Sequence, residues 1–215
     1  MILFVASYLF PTIGLATHDI YTDVYASTLF LCAAKEGQVA TVDKLLANKK
    51  IDPNEKNPNG YTALMIAAIK GHTAVVTRLL ADPRVDLYLK DKYGNTVLML
   101  AALRGNASVT KKLLLDNRID LNLQNTLGFT ALILAAAQGH TAIVAQLLAD
   151  PRITINIPTH NGTTALMLAA TNGYLTILQL LIEHGVIPPA TAIDLAESKG
   201  CIECITLLKH ACKKT

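Results

Sequence analysis

The sequence has no tryptophan, and only 5% of its residues are aromatic and 16% charged, against 52% apolar. That apolar share is far above what a disordered chain carries, so the material for a buried core is present. Lysine and arginine number 19 against 16 aspartate and glutamate, leaving +3. So small a surplus does not make the one-sign field that draws a protein onto nucleic acid, and no nucleic-acid partner is expected. No apolar run reaches the roughly 18 residues of a membrane-spanning helix. The best, Ile2 to Phe10, is ended by Pro11, and no membrane span is expected. Catalytic signatures are missing as well: there is no Gly-x-Ser-x-Gly, no Gly-x-x-x-x-Gly-Lys-Ser/Thr and no His-Glu-x-x-His. A nucleophile elbow, a phosphate loop and a zinc-protease helix are thereby excluded. The expectation is a chain that is not an enzyme, with no catalytic residue, no cofactor and no metal.

What is present is a repeat. Glycines fall at 37, 60, 71, 94, 105, 128, 139, 162 and 173, in alternating steps of 23 and 11 that sum to 34. Four copies of Gly-x-Thr-(Ala/Val)-Leu-x-x-Ala-Ala-x-x-Gly begin at Gly60, Gly94, Gly128 and Gly162. A degenerate copy precedes them (Ala33, Ala34, Gly37) and another follows (Thr191 to Ala196, Gly200). Atypical ends are what a stack requires, because its terminal units face water on one side.

Each unit reads as helix, turn, helix and loop. Thr62, Thr96, Thr130 and Thr164 precede short apolar runs and are candidate N-caps, their hydroxyls accepting orphan amides of a first turn. Gly71, Gly105, Gly139 and Gly173 come about two turns later and stop the first helix. A second helix follows, with apolar pairs such as Val75/Val76 and Leu79/Leu80, or Ile143/Val144 and Leu147/Leu148, making one sticky face. Paired alanines (Ala67/Ala68, Ala101/Ala102) keep the first helix slim, so neighbouring units can approach closely. Asp-Pro at 82 and 150 breaks the second helix, and Asn59-Gly60 and Asn161-Gly162 signal tight turns.

A 34-residue period is the tetratricopeptide length, but that pattern needs an early Trp and joins its helices without an extended loop. The run Gly-x-Thr-Ala-Leu-x-x-Ala-Ala-x-x-Gly-His followed by Val-Val-x-x-Leu-Leu instead resembles the ankyrin repeat, over about residues 24 to 212. The extra residue lies in Ala81-Asp-Pro-Arg-Val-Asp86 and Ala149-Asp-Pro-Arg-Ile-Thr154, one longer than the family's connection. The usual Thr-Pro-Leu-His is replaced by Thr62-Ala-Leu-Met65, Thr96-Val-Leu-Met99, Thr130-Ala-Leu-Ile133 and Thr164-Ala-Leu-Met167, so a polar staple becomes hydrophobic packing. The resemblance implies an all-α solenoid of helix-turn-helix units joined by hairpin-like loops. The expected divisions are an N-terminal hydrophobic segment (1–22), an N-terminal capping repeat (23–57), repeats at 58–91, 92–125, 126–159 and 160–187, and a C-terminal cap with a basic tail (188–215).

The same resemblance implies a recognition scaffold, monomeric and without chemistry of its own, which binds a partner on a concave face made from hairpin tips and the exposed side of each first helix. Positions matching the family's variable contacts are Tyr61 and Lys70, then Lys92, Tyr93, Asn95 and Arg104, then Leu127, Phe129 and Gln138, then His160 and Asn161. Aromatic and basic side chains there imply a protein partner with an apolar epitope and an acidic rim. An alternative within binding is an inhibitor that masks an enzyme cleft or a transcription factor. His72 and His140, which share one repeat position, read as structural.

An alternative of another class is a metal or redox site at Cys201-x-x-Cys204, His210 and Cys212. Residues at i, i+3, i+9 and i+11 of one helix do not readily converge on a metal, and Cys204 aligns with the core positions Val75, Val109 and Ile143. With no cysteine ladder between repeats, reducing surroundings fit. Against them, Ile2 to Phe10, Pro11 and Gly14-Leu-Ala16 resemble a signal peptide cleaved before Thr17, although no Lys or Arg precedes Lys35. A hydrophobic capping segment or a misplaced start are the other readings of that stretch. Repeats of this Asp-Pro-Arg type also resemble those of intracellular bacteria and protists. Cytoplasmic residence, export, and delivery into a host cytosol all stay open. Asn106-Ala-Ser108 and Asn161-Gly-Thr163 are formal glycosylation acceptors that turn and helix-start chemistry explains better.

Overall fold

The computed structural model describes residues 15–212, with side chains from Tyr25 onward. The hydrophobic run before Leu15 and the basic tail after Cys212 lie outside the described residues. Among the described residues twelve helices pair into six units: α1 (Leu15–Glu36) with α2 (Val39–Ala47), α3 (Ala63–Lys70) with α4 (Thr73–Ala81), α5 (Val97–Leu103) with α6 (Ala107–Leu114), α7 (Ala131–Ala137) with α8 (Thr141–Leu148), α9 (Ala165–Asn172) with α10 (Leu175–Glu183), and α11 (Ala190–Lys199) with α12 (Ile202–Cys212). There is no strand among the described residues. The boundary expected at 22/23 falls inside α1, which is far longer than the other first helices.

Helix starts follow from the threonines. The hydroxyls of Thr62, Thr96, Thr130 and Thr164 accept the amides of Met65, Met99, Ile133 and Met167 at 3.2 to 3.4 Å. In α5 the Thr96 amide also donates to the Met99 Sδ at 3.5 Å, so the methionine closes the reciprocal half of a capping box. Helix ends need one amendment. Gly71 and Gly173 cap α3 and α9 directly, whereas α5 and α7 stop one residue sooner, at Leu103 and Ala137, with Arg104 and Gln138 as right-handed caps before Gly105 and Gly139. In all four the residue after glycine donates back to the first alanine of the pair, as His72 does to Ala67 at 2.9 Å. Glycine's left-handed φ permits that bond.

The main packing is between neighbours. First helices stack on first helices (α1, α3, α5, α7, α9, α11) and second helices on second helices (α2 to α12), with the two layers joined inside each unit. Ala67, Ala68, Ala101, Ala102, Ala135, Ala136, Ala169 and Ala170 are fully buried, which is how short side chains let the first-helix layer close up. Second helices fill the gap between layers with Val75, Leu79, Val109, Leu113, Ile143, Leu147, Ile177 and Leu181. The result is one continuous apolar seam rather than a single central core.

Polar links repeat at the same period. The Lys56 and Lys90 ammonium groups and the Gln124 amide donate to the main-chain carbonyls of Lys90, Gln124 and Pro158, each 34 residues on. A slower rhythm is overlaid: His72 and His140, and Pro83 and Pro151, recur only in alternate units, while Asn54, Asn122 and Asn156 share a position that Tyr88 interrupts. Asn54 and Asn122 each donate to the carbonyl of the next arginine, Arg84 or Arg152, and accept the amide two residues further on, from Asp86 or Thr154.

Candidate functional site

Each unit is entered through a five-residue turn. At 57–61, 91–95, 125–129 and 159–163 the first residue's amide donates to the carbonyl of the fifth, and the glycine amide returns to the first carbonyl. The first side chain locks the tip. Asn57, Asp91 and Asn125 each accept two main-chain amides of their own turn, two and four residues on, at 2.8 to 3.0 Å. At the fourth tip the Thr159 hydroxyl accepts only the amide of Thr163, at 3.0 Å, and itself donates to the Asn161 side chain. Adjacent tips are tied together by the Thr126 amide and hydroxyl, both donating to the Tyr93 carbonyl at 3.1 and 2.8 Å, and by the His160 amide donating to Leu127. Backbones rigid at the base leave the intervening side chains to face outward.

Lys70, Lys92, Tyr93, Arg104, Leu127, Gln138, His160 and Asn161 are exposed on these tips and at the ends of the first helices. Tyr93 and Leu127 stand out for large apolar side chains, at 55% and 65% exposure. The Lys92 ammonium sits 5.0 Å from the centre of the Tyr93 ring, a cation–π contact that holds the two together. Tyr61 and Phe129 are half-buried and packed on the core, so they offer an edge rather than a whole ring.

Asn95 is a correction. It is buried, its amide nitrogen donates to the Asp91 carboxylate at 3.0 Å, and its oxygen accepts from the Asn125 amide at 2.8 Å. Its position matches a family contact, but its side chain is used up in joining two tips. Tyr88, 59% exposed, is an aromatic that the family positions do not select. It stands where three other units carry Asn54, Asn122 and Asn156, and that break in the pattern is the signal that marks it.

The charge pattern of this face is one-sided. Helices α3, α5, α7 and α9 contain no acid, and the only acid in the four tips, Asp91, is buried and bonded to Asn95 and two amides. Within these four helices and tips Lys70, Lys92 and Arg104 therefore face no exposed carboxylate; the acid at the Lys70 position of the first unit, Glu36 of α1, pairs with Lys35 at 3.7 Å.

Carboxylates concentrate instead in the loops after the second helices. In each Asp-x-Arg (82–84, 116–118, 150–152) the aspartate accepts its own arginine's amide and guanidinium, with ion-pair distances of 2.6 to 2.7 Å. The arginine reaches back a unit: Arg84 to the Leu46 carbonyl, Arg118 to Leu80 and Arg152 to Leu114, at 2.7 to 2.9 Å. The hydrogen bond from its arginine holds Asp82, Asp116 and Asp150 below the usual carboxylate range and raises the arginines in turn. These loops, expected only to absorb the extra residue of the period, are cross-unit clamps.

The histidines are structural in the same sense. His72 Nε2 donates to the Lys35 carbonyl at 2.9 Å, and His140 Nε2 to Leu103 at 3.3 Å. Asn106 takes the equivalent place and donates to Ala68 and Ile69, which engages the amide that a glycan would need. The C-terminal cluster does not come together: Cys201 and Cys204 are joined in a disulfide, the Cys212 thiol donates to the Pro188 carbonyl at 3.5 Å, and His210 is exposed. Among the described residues no group of three or more His, Cys, Asp or Glu is placed to hold a metal ion. No helix of the described residues is long and apolar enough to cross a membrane.

Comparison with known proteins agrees with this geometry. The model of the family "Ankyrin repeats (3 copies)" matches residues 29–125, 79–159, 98–192 and 153–215. The crystal structure of EF0377, an ankyrin repeat protein, superposes with a TM-score of 0.76 at 29% identity, covering 85% of this chain and 97% of that one. A search of the curated proteins found no match. With units stacked on their neighbours and the family's pattern running over most of its length, the chain belongs to the ankyrin repeat family.

Proposed function

We propose that this protein is a non-catalytic scaffold that binds a partner protein through the face built from its turn tips and first helices. Ankyrin repeats are generally protein–protein interaction modules. The observation that supports this is the lack of exposed acid on the four central first helices and tips, where exposed Lys70, Lys92 and Arg104 accompany the exposed Tyr93 and Leu127. A partner segment with an apolar centre and an acidic rim complements it, the apolar part providing burial and the rim steering and register. Holding the tips rigid lowers the entropic cost of association.

The test is selection of a displayed random-peptide library on the full chain. Enriched peptides carry an apolar core flanked by Asp or Glu, and the Tyr93→Ala, Leu127→Ala double variant loses them with its helical circular dichroism unchanged. Leu127 rather than the half-buried Phe129 accompanies Tyr93 in this test, because Phe129→Ala would also remove packing. Peptides that bind the double variant equally well, or that show no acidic enrichment, sink the assignment of the face.

A further inference from the structure

The last unit departs from the others at one position. In the second, third, fourth and fifth units the residue before the second helix, His72, Asn106, His140 or Tyr174, lies against the preceding unit, three of them through hydrogen bonds and Tyr174 beside Gly139. Cys201 occupies that position before α12. Its sulfur turns into its own helix, bonded to Cys204. None of His72, Asn106, His140 and Tyr174 makes a side-chain capping bond to its helix, yet the Cys204 amide donates to the Cys201 sulfur at 3.4 Å.

The two sulfurs have unequal surroundings. Cys201 is half-buried and reachable from solvent, while Cys204 is fully buried in the slot that Val75, Val109, Ile143 and Ile177 fill elsewhere. An amide directed at the outer sulfur favours its thiolate. The inner sulfur, when reduced, fits its slot as a small apolar side chain. Both oxidation states are therefore compatible with a folded cap. An outer attacking sulfur and a shielded inner one are what a dithiol needs to cycle without reacting further.

We propose that Cys201 and Cys204 form a redox-active pair that exchanges with thiols of the glutathione class, Cys201 being the sulfur attacked and Cys204 the shielded sulfur that leaves and returns. In reduction, an incoming thiolate forms a bond to the Cys201 Sγ and breaks the bond to Cys204, whose thiolate takes a proton from water. A second thiolate attacks the incoming sulfur, releasing the Cys201 thiolate, which is then protonated. Two thiols have become one disulfide, and the protein disulfide has become two thiols. Oxidation runs the same steps backwards with glutathione disulfide.

The test uses the full chain carrying Cys32→Ser and Cys212→Ser, so that only the pair reports. It is equilibrated in glutathione buffers of graded composition, quenched in acid, labelled with a maleimide and weighed. The expected result is that both sulfurs gain label together in one two-electron transition, with helical circular dichroism the same at each end. Adding Cys204→Val, the residue of the equivalent slots, leaves Cys201 to take up one glutathione in oxidised buffer; Cys204→Ala serves if the valine variant fails to fold. Adding Cys201→Ser instead leaves Cys204 at least about ten-fold slower to react in the native state. The proposal is overturned if both thiols stay reduced in fully oxidising buffer, if the disulfide resists excess thiol until denaturant is added, or if Cys204 takes glutathione as fast as Cys201.

Discussion

Arg152 donates to the main-chain carbonyl of Leu114, in the unit before its own, at 2.8 Å. The Asp150 carboxylate grips the same guanidinium at 2.7 Å, so the arginine bridges two units with its charge compensated. Arg84 does the same for the second and first units, Arg152 and Arg84 each also approaching a second carbonyl (Ile119 and Ile51), while Arg118 makes one such cross-unit bond between the third and second. Arg152→Ala is expected to cost about 1 to 2 kcal/mol, the range for charge-assisted bonds discounted for partial exposure, and Arg118→Ala less. Urea midpoints of the two variants check the order.

Acid should open the same clamps. Asp82, Asp116 and Asp150 titrate below the ordinary carboxylate range because their arginines hydrogen-bond the charged form. A lowered folded-state value means stability that is whole above the ordinary carboxylate range and is lost as pH falls through the lowered values. Asp150→Asn is therefore expected to be less stable at neutral pH and to lose less between about pH 4 and pH 2. Urea midpoints taken across that window check it, and equal acid slopes in the two proteins contradict it.

One buried hydroxyl is misplaced. Thr110 is fully buried in α6 where Val76, Val144 and Leu178 stand in the neighbouring units, and its hydroxyl has no hydrogen-bond partner. Thr110→Val removes the unsatisfied oxygen at nearly constant volume and is expected to stabilise by about 1 kcal/mol. A melting temperature that does not rise counts against the register of α6.

Two tip glycines with the same backbone should respond differently. Gly128 has φ +82°, and a Cβ there meets the His160 backbone nitrogen at 2.5 Å, whereas Gly162, at φ +81°, opens onto free space. Gly162→Ala is expected to cost about 1 kcal/mol for its left-handed backbone alone. Gly128→Ala should cost clearly more, since the next tip must move as well. Denaturant midpoints distinguish the two.

A central leucine tests the stack itself. Leu132, 1% exposed in α7, is expected to cost about 2 to 5 kcal/mol when truncated to alanine. Because each unit relies on its neighbours, the loss should appear as one cooperative shift of the whole transition.

Caps, glycine turns and the alanine seam were readable from the chain because each rests on a local rule that recurs at a fixed spacing. The threonine hydroxyls cap where their positions say, and Cys204 fills the core slot its alignment assigns. The arginine clamps were not readable, because Asp-Pro-Arg looks like an ordinary turn until the preceding unit's carbonyls are in place beside it. Asn95 was misread for a related reason. Family position says which residues sit on a tip, but a buried Asp91 decides which side chain turns inward.

The clamps also say where the molecule should yield under load. The loop after the fifth unit carries His184, Gly185 and Val186, with no arginine to reach back to the fourth. Pulled from its two ends, such a row transmits the same tension through every joint. The fifth and sixth units, held to the fourth without such a clamp, should peel away first and leave the clamped units before them intact.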